Sequence, residues 1–268
     1  MRKILLSRVG SCLFLVISAA TADAQLTSLT EGFDTVGAPV PTATGIFASG
    51  WVVINNSSPL GNANWNQGIP GIQLGGLGVN AQSGAANSFI QTNFQVANGG
   101  IASDWLITPV LELENGATIS FYTQTNVPVN TQFPNELQVW ESQSGSSTVN
   151  VGSTAAAPGG DFTVQLLNIN PGATAENGTP DGYPTAWMRY TLTISGLSAP
   201  TDGRIGFRYY LPDAATQGTT IGIDTFSFAD PTVFTRTVSG NWTDTTGWTP
   251  NAVPNGTTVT AQLVNPGS

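Results

Sequence analysis

Apolar and polar positions alternate in short runs along most of the chain, and no segment holds an apolar period of 3.6 residues, so strands are predicted almost throughout and helices are minor. The central stretch Asp104–Gln124 reads DWLITPVLELENGATISFYTQ. Runs over Trp105–Leu113 and Ala117–Tyr122 flank Asn115-Gly116, a pair that tolerates positive φ and predicts a hairpin. In the second run Ala117, Ile119 and Phe121 alternate with Thr118, Ser120 and Tyr122, which predicts one buried face. Pro109 cannot donate to a ladder and belongs at a bulge or margin, while Asp104 is expected just before the strand. Further strands are predicted over Gln25–Thr35, Trp51–Asn55, Ser88–Phe94, Glu136–Glu141, Phe162–Leu167, Trp187–Ile194, Arg204–Leu211 and Thr220–Phe228. Leu137 and Val139 should face one way and Trp140 the other; Tyr190, Leu192 and Ile194 share a face. Asn55–Gly78 and Gly145–Gly160 are long polar loops, of the kind that is functional or mobile.

The pattern predicts an all-β fold, an antiparallel β-sandwich of jelly-roll type with long loops over residues 25–230, and a short β appendage over 231–268. The 31 glycines and 17 prolines fit turn-rich β structure, and a 40% hydrophobic content is enough for a core. Arg2, Lys3 and Arg8 precede an apolar run over Cys12–Ala20, and Ala22-Asp23-Ala24 offers small-x-small cleavage before Gln25. Residues 1–24 therefore read as a signal peptide and the mature chain as secreted; the run is too short for a transmembrane helix.

Without that peptide the chain keeps Arg189, Arg204, Arg208 and Arg236, no lysine and 15 acids, a net charge near −11. Nucleic acid is disfavoured, since its phosphates need clustered Lys and Arg. The lone cysteine leaves with the signal and histidine is absent, which excludes thiol nucleophiles, Ser-His-Asp catalysis and His-ligated zinc.

The motifs DWLITPVLEL, preceded by SFIQTNFQVANGG, together with EGFD at 31–34, GW at 50–51, RIGFRYYL at 204–211 and IGIDTFSF at 221–228, resemble the choice-of-anchor J domains. These are bacterial extracellular modules similar to cleaved-adhesin and MAM-type jelly rolls. The resemblance spans about 27–230 and implies a secreted or cell-surface adhesion or binding module. It also implies calcium, since related adhesin modules are often calcium-stabilised, although the Asp-rich loop they carry is here Asn55, Asn56, Asn62, Asn64 and Asn66. Beyond Asp230-Pro231, the segment with Trp242, Trp248 and Val253-Pro254-Asn255-Gly256 resembles the opening coil of autotransporter-like β-solenoids, and further domains are expected downstream.

Three candidate sites follow. Asp34, Asp104 and Asp224 are candidate calcium ligands, because pairing of the first and last strands would bring carboxylates together and calcium takes six to eight oxygens. Ile221 and Ile223 on one face and Asp224, Phe226 and Phe228 on the other would bury that charge on a two-sided apolar strand, with Arg208 as the alternative partner. Trp65, Trp140 and Asn64 are candidate ligand contacts, indoles stacking on sugar faces and amides meeting hydroxyls. The partner would be a glycan or a protein on a surface. Glu136 and Glu141 could supply the two carboxylates of a glycosidase, but their odd spacing puts them on opposite faces, so a non-catalytic module is the expectation. A carbohydrate-binding module of a larger enzyme and a structural spacer are the alternatives.

Overall fold

The computed structural model describes residues 26–38, 42–71, 79–126, 133–145, 149–236, 240–243, 248–249 and 259–263. The expected signal peptide, the end of the first long loop and the Val253–Gly256 turn lie outside these residues. Sixteen strands follow in order: β1 Ser28–Glu31, β2 Val52–Asn55, β3 Ser58–Leu60, β4 Asn66–Gln67, β5 Ile90–Asn93, β6 Ala97–Ile107, β7 Leu111–Leu113, β8 Thr118–Thr125, β9 Leu137–Ser142, β10 Phe162–Ile169, β11 Met188–Thr193, β12 Thr201–Leu211, β13 Thr220–Ala229, β14 Thr232–Arg236, β15 Trp248–Thr249 and β16 Val259–Leu263.

Two antiparallel sheets form the sandwich. A six-stranded sheet runs β11-β8-β13-β5-β4, with β1 also on β13; a seven-stranded sheet runs β10-β9-β12-β6-β2, with β3 on β6 and β7 on β12. The first strand pairs with the last of the sandwich, Leu29 opposite Phe228, as expected. Between the sheets, Phe121 of β8, Phe207 of β12 and Phe226 of β13 meet edge to face at 5.0 and 5.9 Å, and Trp51 and Phe33 extend the run at 5.3 and 5.4 Å. Edge-to-face pairs each add about 0.5–1.5 kcal/mol beyond burial, so these rings clamp one sheet to the other.

Two local expectations are corrected. The Asn115-Gly116 pair makes a turn, Ala117 N–H donating to the Glu114 carbonyl at 3.1 Å, but it joins no hairpin. β7 pairs with β12 in one sheet, and β8 pairs with β11 and β13 in the other. Only Gly116, at φ +95°, takes positive φ. Hairpin turns that match strand twist need positive φ at the first central residue, alone or with the second; positive φ at the second alone gives a type II turn, which splays the strands. The turn therefore crosses between sheets, and the Asn115 amide fastens it to both the N–H and the carbonyl of Leu197.

The second correction concerns β13. Its pairing with β8 shifts register between Asp224 and Ser227, and Thr225 has φ +51°. This bulge resets the alternation, so Ile221, Ile223, Phe226 and Phe228 all face the core, each no more than 1% exposed. Asp224 is thus not set among the phenylalanines. Arg208 is not its partner either, because β12 and β13 lie in different sheets.

A separate sheet orders β15-β14-β16. β14 and β16 make the only parallel ladder among the described strands, Thr232 opposite Val259 through Arg236 opposite Leu263. Trp248, 1% exposed, lies against Trp242 at 4.9 Å and under the Arg236 guanidinium at 5.4 Å.

Candidate functional site on the outer face of the seven-stranded sheet

Strand alternation sends Ser103, Trp105 and Ile107 of β6, Gly206, Arg208 and Tyr210 of β12, and Gln138 and Trp140 of β9 to the outer face of this sheet. Register sets Arg208 between Gln138 and Trp105, and Gly206 between Trp140 and Ile107. A second small apolar cluster forms there from Trp105, Ile107, Val151 and Phe162, with Trp140, Val52, Ile54 and Val149 packed against it. Gly206 makes this possible, since a Cβ would meet Phe162 at 2.8 Å and the Trp105 ring at 3.0 Å. The chain over 149–162 crosses the face as a strap, tied down where Asn56 donates to the Gly152 and Thr154 carbonyls at 3.3 and 3.1 Å.

Arg208 is the hub. Its Nε donates to Ser103 Oγ at 2.9 Å, one Nη donates to Gln138 Oε1 at 3.0 Å and the other to the Ala155 carbonyl of the strap. Its guanidinium also lies over the Tyr210 ring at 4.2 Å and the Trp105 ring at 5.5 Å. Burial lowers its pKa to about 10, so it stays charged at neutral pH.

Gln138 carries the network onward. Its Oε1 also accepts the Trp140 indole N–H at 3.0 Å, and its Nε2 donates to Glu136 Oε1 at 2.6 Å. Glu136 takes the Gly172 N–H on its other oxygen at 2.6 Å; burial pushes its carboxyl up, opposed by these hydrogen bonds. The result is a polar ladder with Trp140 and Tyr210 half-buried at its two ends. Trp140 is oriented by its own N–H, and Tyr210 is backed by a cation. Gly206, the register partner of Trp140, lies four positions along β12 from Tyr210, so the two backbone positions are about 13 Å apart along the strand at 3.3 Å per residue.

Of the three candidate ligand contacts singled out from the sequence, Trp140 alone belongs to this face; Arg208 and Glu136, considered there for other roles, are part of its ladder. Trp65, expected in an open loop, is 3% exposed and donates its indole N–H to the Asp104 carbonyl at 3.1 Å. β3 and β4 organise that loop against β6 and β5, turning the indole inward. Asn64 beside it is exposed, its carbonyl accepting from Asn66 at 2.8 Å. Tyr210 and Gln138 were missed; their strand alternation was legible, but nothing in a single sequence says which face of a two-sheet sandwich carries a site.

The three aspartates are not gathered. Asp104 lies within β6, not before it, and faces the core, fully buried, with one carboxylate oxygen accepting from Thr92 at 2.7 Å and the other without a hydrogen-bond partner. Burial pushes its pKa well above the usual carboxylate range. Asp224 accepts the N–H groups of Gln82 at 2.7 Å, Ser83 at 3.1 Å and Thr225 at 2.5 Å. Exposed Asp34 borders the same 82–84 turn, its Oδ1 3.0 Å from where a Cβ on Gly84 would stand. Among the described residues no three Asp, Glu, His or Cys side chains converge to hold a metal. Glu136 and Glu141 serve separate surroundings, as their odd spacing implies, Glu141 accepting from Gln143 at 2.7 Å.

The architecture is similar to solved β-sandwich domains. The K1 cleaved adhesin domain of Lys-gingipain from Porphyromonas gingivalis W83 superposes with a TM-score of 0.43 at 20% identity, over 76% of this chain and 99% of that one. The CBM22-1 xylan-binding domain of Paenibacillus barcinonensis Xyn10C gives 0.37 at 13% identity, over 77% and 97%. The family 11 carbohydrate-binding module of Clostridium thermocellum, solved with a mixed-linked tetrasaccharide, gives 0.35 at 9% identity, over 75% and 95%. No protein-family model and no curated protein matches the chain.

Proposed function

We propose that the chain is a secreted, non-catalytic binding module that holds a glycan against the outer face of the seven-stranded sheet. The carrying observation is the pair Trp140 and Tyr210, half-buried on one face, each fixed from behind by the Arg208–Gln138–Glu136 ladder. Rings immobilised before binding lose little entropy on contact, which favours stacking on the flat C–H face of a pyranose. Catalysis has less support, since the paired carboxylate role needs two groups facing one bond and Glu136 and Glu141 point to opposite sides of β9. Secretion rests on the composition of residues 1–24, and no helix among the described residues is long and apolar enough to cross a membrane.

The test is native gel retardation in xylan, mixed-linked β-glucan and β-1,4-galactan. Trp140→Ala and Tyr210→Ala should each weaken retardation about tenfold, roughly 1.4 kcal/mol, with the denaturation midpoint kept within about 1 kcal/mol of wild type. Equal retardation of wild type and both variants would sink the outer face as the site.

A further inference from the structure

A groove of about 820 Å³ opens where β3 leaves the edge of the seven-stranded sheet, and it shares no residue with the ladder around Arg208. Pockets that hold small ligands run roughly 300–1,000 Å³. One wall is Leu60 and Asn62; the other is the 3-10 turn Phe94–Val96 and the start of β6, with Asn98 and Gly99. Backbone hydrogen bonds tie the two walls together. The Gln95 carbonyl accepts the N–H groups of Asn62 and Ala63 at 3.0 and 3.2 Å, and Gly61 donates to the Val96 carbonyl at 2.8 Å. The Asn93 side chain accepts from the Gln95 N–H at 2.9 Å. Gly61 permits this approach, since a Cβ there would fall 2.0 Å from the Gln95 carbonyl oxygen. The walls are therefore set before any ligand arrives.

The side chains are the reverse. Asn62, Gln95 and Asn98 are exposed, and among the described residues none of their amide groups hydrogen-bonds to the protein. Each amide offers two donors and an acceptor in one plane, a match for neighbouring hydroxyls. Phe94, half-buried, and Leu60, 63% exposed, add apolar surface. No lining residue is charged, although the chain as a whole carries net −9. A phosphate, carboxylate or ammonium would find no counter-charge here, whereas a hydroxyl-rich neutral molecule would find both amides and an apolar face. We infer that this groove is a second ligand site, selective for a neutral sugar, which stands whether or not the outer face binds.

Side-chain NMR separates the two sites in one titration of the whole chain. Xylotetraose, a mixed-linked glucotetraose and β-1,4-galactotriose are the neutral probes, and tetragalacturonate is the charged control. At least one neutral probe should move the side-chain amide signals of Asn62, Gln95 and Asn98 together, with tetragalacturonate moving them less. The Gln95→Ala/Asn98→Ala variant should weaken the Asn62 response about tenfold and leave the Trp140 indole signal unchanged. Movement of the Trp140 indole alone would overturn this site and leave the outer face standing. Movement of the three amides alone would support the groove and remove the outer face. No amide movement with any neutral probe, or equal movement with tetragalacturonate, would overturn it.

Discussion

At the residue scale, burial separates tryptophans that look alike in the sequence. Trp65 fills core space at 3% exposure and bonds the Asp104 carbonyl. Trp65→Ala should therefore cost about 3–5 kcal/mol, the range for deleting a core aromatic, read from urea midpoints. Trp140→Ala should cost less, because its ring is only partly buried, at the edge of the outer-face cluster. Asp104 is the other residue whose environment decides its chemistry: a carboxyl on the core face of β6, pushed up by desolvation, with one oxygen unpartnered. Asp104→Asn keeps the shape and removes the buried charge, so at pH 7 it should leave stability equal or raise it. A clear drop in midpoint at pH 7 would show that the ionised form is stabilised by a contact beyond Thr92.

At the element scale, the bulge in β13 does two things at once. It keeps four large apolar side chains on the core face, and it aims Asp224 at the amides of Gln82 and Ser83. A carboxylate accepting backbone N–H groups makes charge-assisted bonds, stronger than neutral ones. Asp224→Ala should thus release the 82–84 turn, speeding amide exchange at Gln82 and Ser83 while the β13–β8 ladder stays protected. Uniformly faster exchange across β13 would mean that Asp224 holds the strand, not the turn. Asn115, at the crossing between sheets, is a parallel case: its side chain supplies two hydrogen bonds to Leu197 that a hairpin turn would not need.

For the whole molecule, carboxyl titration sets an uncommon pH response. Glu31, Asp104, Glu136, Glu141, Asp224 and Asp230 are all pushed up, chiefly by burial, and Asp230, repelled also by Glu114 and Glu112, reaches about 6. A carboxyl raised on folding binds its proton more tightly in the native chain than in the unfolded one. Its contribution is complete below the unfolded value, about 4, and is lost as pH rises through the folded value. Stability should fall between about pH 4 and 6, and Asp230→Asn should flatten that slope. A denaturant midpoint that climbs with pH over this window would contradict the assignment. The separate sheet of β14, β15 and β16 leads to another expectation: limited proteolysis after Asp230 should leave a sandwich that still unfolds cooperatively.

How far the sequence reached depended on whether local physics decided the outcome. Strand positions and the all-β class were legible, because period-2 alternation and turn residues are local signals tied to backbone geometry; the pairing of β1 with β13 was expected from the jelly-roll type and not from any local pattern. The opposite facing of Leu137 and Trp140 on β9 was legible for the same reason. Only the tertiary structure decided which sheet each strand joined. Asn115-Gly116 reads as a hairpin locally, yet one positive φ where two were expected sends β7 and β8 to different sheets. One bulge at Thr225 inverted the reading of every residue after it, and that shift carries no sequence mark. Trp65 sits among asparagines, so its surroundings in the chain are polar while its surroundings in space are the core. The outer-face ladder joins Ser103, Gln138 and Arg208 across 105 residues of sequence. Such a site exists only once the sheet has formed, because each of its hydrogen bonds depends on the register of a strand the others cannot specify.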